Sequence, residues 1–412
     1  MQRAQSMSLS SNGPHNRDGL SVAIIGSGIA GASAARGLAL SMPEALSRVT
    51  LYEIGRGPGG RASTRKTRAI PELRINHGAP YADISTPEGL AVLSSLGDAV
   101  APYLGDRVLI DGKTGELRPR EAGNGEALIT GGNGEMAEFA DRLLRDRDNT
   151  VLSPIVSAYS TMVRGLARGE DEGAPWVLTD KSQDEVGRAD WLVVAGSGVA
   201  HPRWSDTFGG EAPLVQATSA LEDPRLDAAL ECIGQQTAAP VLTVLFYCTG
   251  EAAAHWQRLG FNDGLIEGHS VLAKVSIQPC GDSGCAIVLH STTAYARDNA
   301  GVHGSSSSAA RVGDAASDTT REDGLIEEML AALAEIPGLP AIERSQCAFG
   351  PLLHRWGNAF PEGEPLPAAL SVCPDARVAF CGDYISTAAR MGSCESALLS
   401  GVHVADALSR LS

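Results

Sequence analysis

The first clear apolar run along the chain is Ser21-Val22-Ala23-Ile24-Ile25, short enough to predict a buried strand rather than a helix. A glycine-bearing turn follows, then small apolar residues at helical spacing: Ala32, Ala34, Ala35 and Leu38. A second run, Val49-Thr50-Leu51-Tyr52, ends in Glu53. Strand, helix and strand in this close succession predict a βαβ unit.

Farther along, Thr86 and Pro87 read as the N-cap and first residue of a helix with Leu90, Leu93 and Leu96 inward and Gly97 at its end. Two short strands are expected around 107–110 and 116–119. An amphipathic helix is expected over 135–145, with Met136, Phe139, Leu143 and Leu144 inward and Asn133 as its N-cap. Segments 151–152, 155–159 and 176–179 read as strands, and 189–195 as a buried parallel strand. The character then changes. A helix over 223–233 precedes strands at 241–248, 270–278 and 286–291, a pattern that predicts an antiparallel or mixed sheet. Residues 301–320 are rich in Ser, Ala and Gly and read as a mobile loop. Residues 320–336 read as an acidic amphipathic helix, with Asp323 completing a loose capping box. A strand over 376–384 and a small-residue helix over 390–401 close the pattern. The expected fold is α/β: a discontinuous Rossmann-like domain from 21–85, 125–200 and 345–412, with an inserted α+β substrate domain from 86–124 and 201–344.

Composition narrows the class. A chain of 412 residues is long enough for two domains. Its 43% hydrophobic and 20% charged residues suit a globular protein. A formal net charge of −16 argues against nucleic acid or an anionic membrane as partner. No apolar run approaches the roughly 20 residues of a membrane span. The eight cysteines form no CxxC pair, so no metal is expected. Cys280 and Cys285 flank a glycine turn and read as free thiols of a reducing compartment. Residues 1–20 are polar and read as a frayed terminus. With no secretory signal, an intracellular, cytoplasmic location is expected, or a plastid or mitochondrion if that segment is the remnant of a transit peptide.

The candidate chemistry lies in the turns. Gly26-Ser27-Gly28-Ile29-Ala30-Gly31 has the dinucleotide spacing directly after a strand. Gly26 allows the turn, Gly28 lets a diphosphate approach the backbone, and Gly31 lets the helix pack closely on the sheet. Glu53 stands where a carboxylate accepts ribose hydroxyls. Gly59-Gly60-Arg61 follows, with Arg61 able to place a planar cationic fork on a phosphate. Asn76-His77-Gly78-Ala79-Pro80-Tyr81 has small residues at its centre and can pass beside a flat ring; His77 reads as a structural histidine as well as a candidate catalyst. Gly196-Ser197-Gly198-Val199-Ala200-His201-Pro202 begins like a second fingerprint. His201 and Pro202 spoil it, and it reads as a strand-to-loop crossing. His354-Arg355-Trp356 reads either as a pocket wall or as an edge strand with Trp356 in the core. Gly382-Asp383 leaves the last strand where Asp383 can accept a sugar-alcohol hydroxyl, and the helix start at Gly392 and Ser393 offers N–H groups to a phosphate or a ring carbonyl.

These motifs together resemble the renalase-like branch of the amine-oxidase flavoproteins, and the plant and algal members in particular. The likeness is carried by Gly26–Gly31, by Gly59-Gly60-Arg61 with Ser63-Thr64, by Asn76–Tyr81, by His354-Arg355-Trp356, and by Cys381-Gly382-Asp383 with Ala397–Gly401. The resemblance implies noncovalent FAD between the two domains. Cofactor binding is expected through Gly26, Gly28, Ile29, Ala30, Gly31, Glu53, Gly60, Arg61, Gly78, Ala79, Pro80, Tyr81, Val156, Gly382, Asp383, Gly392 and Ser393, and of these the resemblance implies FAD contacts at Ala30, Arg61, Pro80 and Tyr81. The implied reaction is hydride transfer to the flavin from a small reduced substrate such as a misformed dihydronicotinamide, with O2 as the acceptor. Tyr81, His354 and Trp356 are the candidates for lining the substrate pocket. Asn76 stands where the family usually has an acid, and Pro80 where renalases often have Gln. An amine oxidase or desaturase is the alternative enzyme. A flavoprotein with structural or sensory FAD is the alternative outside catalysis.

Overall fold

A computed structural model describes residues 19–411 except 122, 124, 125, 170, 172, 220, 282, 316 and 317. Of the expected frayed segment 1–20, residues 1–18 lie outside the described residues.

The βαβ unit forms as the pattern predicts: strand Leu20–Ile25, helix Ile29–Ser41, strand Leu46–Glu53. It nucleates a six-stranded sheet in the order Ile155–Tyr159, Leu46–Glu53, Leu20–Ile25, Trp191–Ala195, Val378–Cys381, Val372–Cys373. The first five strands are parallel and the last is antiparallel. Alternate residues face opposite layers. Val22 and Ile24 pack under Ile29–Ser41, Met136–Leu143 and the final helix Cys394–Ser409, whereas Ala23, Leu192, Val194 and Phe380 pack into a second core on the other side. The first and last helices touch closely. Ser33 donates to the Leu398 carbonyl at 2.8 Å, and a Cβ on Gly401 would collide with the Ala30 carbonyl oxygen.

The second sheet has seven strands, in the order Phe349–Glu362, Thr237–Thr249, Gly284–Ser291, Leu272–Cys280, Asp263–Glu267, Arg107–Asp111, Leu117–Pro119. Only Asp263–Glu267 and Arg107–Asp111 run parallel to each other. One face carries Leu242, Val244, Phe246, Val275 and Leu289 into a core with Trp256, Leu325 and Met329. The other face turns toward the Rossmann unit, where Leu245 and Val288 meet Leu73 and Ile75.

Several elements fall on the other side of the expected boundaries. Leu93 and Leu96 of helix Pro87–Leu96 pack in the Rossmann core, as do Trp204, Leu214, Leu226 and Ile233 from the region after 200. Strand Phe349–Glu362 instead joins the second sheet, where it covers the edge of Thr237–Thr249. The expected strand 189–195 is broken at Asp190, whose carboxylate accepts both the Ser21 N–H (2.8 Å) and the Ser21 hydroxyl (2.6 Å). A five-residue helix, Ser308–Val312, forms within the expected loop 301–320. Helix Thr319–Ala334 is capped by Asp318, not by a box through Asp323, and Asp323 instead pairs with Arg344. Asn133 is likewise not the N-cap of Met136–Leu143. The N-cap is Glu135, and the first-turn N–H groups of Met136 and Ala137 are satisfied from a distance by Asn76 Oδ1 (3.0 Å) and Thr64 Oγ1 (3.1 Å).

Candidate functional site: a glycine-lined cleft facing a polar sheet surface

The first turn, Gly26–Gly28, joins strand Leu20–Ile25 to helix Ile29–Ser41. Gly28 is the helix N-cap and brings no capping side chain, so the first-turn N–H groups are not taken locally. Gly31 approaches the sheet so closely that a Cβ would overlap the Gly26 carbonyl oxygen. Ile29 and Ala30 are buried behind them. Gly59 donates to the Ser27 carbonyl at 2.8 Å, which lays the second glycine loop against the first. Glu53 accepts from the N–H of Ser27 (2.9 Å) and of Gly55 (2.6 Å). Burial raises its carboxyl pKa, and these two bonds oppose the rise. Gly78 passes against the Arg61 carbonyl, to which Ala79 donates at 3.0 Å, and Pro80 is buried next to them.

Arg61 does not stand alone as an open phosphate fork. Its guanidinium grips Asp383 through two 2.6 Å bonds and also donates to the Ala359 carbonyl at 2.9 Å. Burial works against the Arg61 charge, but Asp383 outweighs it and the pKa rises. Asp383, expected to accept a hydroxyl, is thus also the counter-ion of Arg61. Gly392 donates to the Asp383 carbonyl at 2.9 Å, and the Ser393 hydroxyl caps the final helix by accepting from Ser396 at 3.0 Å. Gly382 donates to the Ser400 hydroxyl at 2.8 Å. Val156, on the edge strand, is 41% exposed.

Arg203 completes this part of the cleft. The spoiled second fingerprint makes only a 3-10 turn, Ser197–Ala200, before His201 and Pro202 redirect the chain. The chain then returns Arg203 to donate to Ser197 Oγ at 2.6 Å. Burial, and then the neighbouring Arg61 charge, lower the Arg203 pKa. No carboxylate among the described residues pairs with it. Of these two neighbouring guanidiniums, only that of Arg61 holds a carboxylate.

Across the cleft, the register of the second sheet assembles a row of polar side chains. His354 lies opposite Thr243, Thr243 opposite His290, and His290 opposite Lys274. Directly opposed residues share a face. Trp356, two positions beyond His354, joins that face. His77 reaches it from the other side of the cleft: its carbonyl meets His290 Nε2 at 3.1 Å, and its ring lies 5.2 Å from His354 and 5.1 Å from Trp356. Burial, then Arg65 and His290, push His354 down to about 4; burial, then Lys274, do the same to His290. Burial also carries His77 well below its ordinary value. All three rings are neutral near pH 7. Thr243 Oγ1, His354 Nδ1 and Trp356 Nε1 are buried without a partner among the described residues.

Tyr81 belongs to a neighbouring cluster. Its hydroxyl donates to Asp263 at 3.1 Å and receives a bond from Arg120. Asp263 also binds Lys274 at 2.8 Å and Arg120 at 3.1 Å. The Tyr81 ring stacks on Tyr103 at 4.6 Å. Burial, and then the Asp263 charge, push Tyr81 up to about 12. The structure thus joins His354 and Trp356 to His77, and places Tyr81 beside them through Lys274 and His290. Sequence reasoning missed Thr243, Asp263, Lys274, His290 and Arg203. The available signal was a polar residue closing an apolar strand, as in Ala286-Ile287-Val288-Leu289-His290.

Comparison with known proteins agrees with this architecture. Residues 24–94 match the NAD(P)-binding Rossmann-like domain family. No curated protein sequence matches the chain. Among solved structures, the chain is similar to a protein assigned as a protoporphyrinogen oxidase from Exiguobacterium sp. 255-15, with 12% identity, a TM-score of 0.60, and 95% of this chain and 99% of that one covered. Cyclohexylamine oxidase from Brevibacterium oxydans IH-35A aligns at 15% identity with a TM-score of 0.56, over 95% and 99% of the two chains. CtdE, solved in complex with FAD, aligns at 14% identity with a TM-score of 0.50, over 96% and 85%. The chain shares the fold of these solved structures: a Rossmann-like domain with an additional sheet-rich domain. No helix among the described residues is long and apolar enough to cross a membrane.

Proposed function

We propose that the protein is a flavin-dependent oxidoreductase that binds FAD noncovalently in the cleft and oxidises a small reduced substrate, with dihydronicotinamide isomers as the substrate class and O2 as acceptor. The observation that carries this reading is the facing pair of surfaces. One side offers glycine backbone, the first-turn N–H groups and an excess of guanidinium charge over carboxylate. The other offers buried polar atoms with no partner among the described residues: Thr243 Oγ1, His354 Nδ1 and Trp356 Nε1. Buried polar groups are normally satisfied, so such a row calls for a polar ligand.

The residues present fit the cofactor. Glu53 would hold the adenosine ribose, with the N–H groups of Ser27 and Gly55 already fixing its carboxylate. Arg203, which pairs with no carboxylate among the described residues, and the helix start at Gly28 would hold the diphosphate. Asp383 and the helix start at Ser393 would lie toward the flavin end. Bound FAD supplies a hydride acceptor at N5 of its ring.

The chain's own residues then orient the donor and exclude water. Trp356, His77 and His354 form one ring cluster that can flank a flat substrate. Because His354 and His77 are neutral, they orient by hydrogen bonding and do not repel a developing cationic ring. Hydride transfer from a dihydropyridine leaves no proton to be removed, so no general base is required. An amine donor would instead approach as a cation, toward a surface already carrying Arg107, Arg120 and Lys274.

The test is anaerobic titration of the FAD-reconstituted protein, followed by flavin absorbance. Bleaching by out-of-place dihydronicotinamide isomers is expected. Bleaching by amines alone would favour the amine-oxidase reading. Failure of every donor to bleach the flavin would favour structural or sensory FAD.

A further inference from the structure

The cluster around Tyr81 carries more positive charge than its structure needs. Asp263 is 0% exposed, and its carboxylate already binds Lys274 and Arg120, whose side chains are 17% and 21% exposed. One buried carboxylate needs one counter-charge, and here it holds two. Arg107 adds a third cation. Its guanidinium lies over the Tyr81 ring, 5.7 Å from the centroid, and no carboxylate among the described residues pairs with it. Lys274 Nζ lies 5.6 Å from the same centroid. Asp83 also feels Arg107 and Arg120, but it feels Arg390 and Glu126 as well. Counting Asp83 and Asp263 against Arg107, Arg120 and Lys274 leaves one positive charge, and Arg390 against Glu126 cancels. His290, the remaining neighbour, is neutral.

A surplus cation with little solvent is costly unless an anion joins it. The chain as a whole carries −16, so this positive surface runs against the sign of the molecule. Stacking on Tyr81 holds Arg107 and Lys274 in place without neutralising them. Guanidinium forks suit the oxygens of phosphate and carboxylate. The cluster also lies on the same face as the ring-flanking row. Lys274 is three strands from His354, about 14 Å at ordinary strand spacing.

We propose that Arg107, Arg120 and Lys274 form an anion subsite that takes a phosphate or carboxylate on the substrate's tail, while its oxidisable ring lies at His354 and Trp356. Asp263 and Tyr81 are positioning residues that hold the cations. The inference rests on the flavin-oxidoreductase reading and makes it sharper: the substrate class is anionic, not a simple amine.

The test uses the FAD-loaded protein and two probes, a dihydronicotinamide riboside and its 5′-monophosphate, in anaerobic flavin reduction. The monophosphate is expected to half-saturate at a concentration about tenfold lower than the riboside, the ratio that one added charge-assisted bond supports. Arg107→Gln and Lys274→Gln should bring that ratio to within about twofold. Arg107→Lys and Lys274→Arg, which keep the charge, should retain most of the preference. Equal half-saturation in the wild type, or a ratio unchanged in both Gln variants, would overturn the subsite. If neither probe reduces the flavin, the donor reading fails on its own. The subsite is then read by calorimetric titration of inorganic pyrophosphate into the FAD-loaded protein. Binding lost in the Gln variants supports it; absent binding, or binding unaffected by them, overturns it.

Discussion

Arg61 and Asp383, 322 positions apart in the chain, form a two-bond ion pair with both N···O distances at 2.6 Å. The pair ties the second glycine loop to the end of the last parallel strand. It also takes up Asp383, and the nearby Arg203 pairs with no carboxylate among the described residues.

Asp383→Asn should destabilise the protein by about 1–3 kcal/mol, because Arg61 loses its charged partner in a partly desolvated setting. Urea unfolding of the single variants and of Asp383→Asn with Arg61→Gln closes a double-mutant cycle. A coupling energy near zero would mean the pair is not formed in solution.

Arg203→Gln should weaken FAD binding by about tenfold to a hundredfold, the range expected for losing one charged hydrogen bond. Riboflavin, which has no diphosphate, should bind both proteins alike. Flavin fluorescence quenching reads both affinities. Equal FAD affinity in variant and wild type would remove Arg203 from the diphosphate site.

Gly401→Ala would force a methyl group against the Ala30 carbonyl oxygen, separating the first helix from the last. A loss of about 1–3 kcal/mol is expected from such overpacking, visible as a lower melting temperature. FAD affinity should fall with it, because the proposed diphosphate site begins at the start of the first helix. Gly301→Ala, where no atom of the described residues beyond the chain neighbours lies within 4 Å of a Cβ, is the control for steric crowding.

The two imidazoles held down to about 4 make stability depend on acid. In the folded state His354 and His290 release their protons far below the ordinary value of 6.5. The folded protein therefore binds fewer protons than the unfolded chain between those values. Their contribution is complete above pH 6.5 and is lost as pH falls toward 4. Urea midpoints should drop across that window, and His354→Asn should flatten the drop. A wild-type midpoint constant across the window would contradict neutral burial of these rings.

Local sequence was sufficient for the βαβ unit. Ser21–Ile25, the glycine turn and the small-residue helix are adjacent in the chain, and each is stabilised by its own period or turn chemistry. The strands of the second sheet were legible for the same reason: alternation and apolar runs mark 241–248 and 286–291 whatever surrounds them. Helix caps were less legible. Asn133 has the right residue type in the right place, yet Asn76 and Thr64 reach in from elsewhere to serve Met136 and Ala137.

The far wall of the cleft comes from long-range pairing alone. His354, Thr243, His290 and Lys274 come from four strands, and nothing local says that they stand in one row. That follows from register, since a slip of one residue in any pairing would turn a side chain to the opposite face. The same holds for charge. Asp263 and Arg107 look like ordinary polar residues at the ends of strands, and only the sheet makes them neighbours. The glycine turn is legible in adjacent residues; the side chains it confronts are chosen by long-range pairing, because register sets the face each one takes.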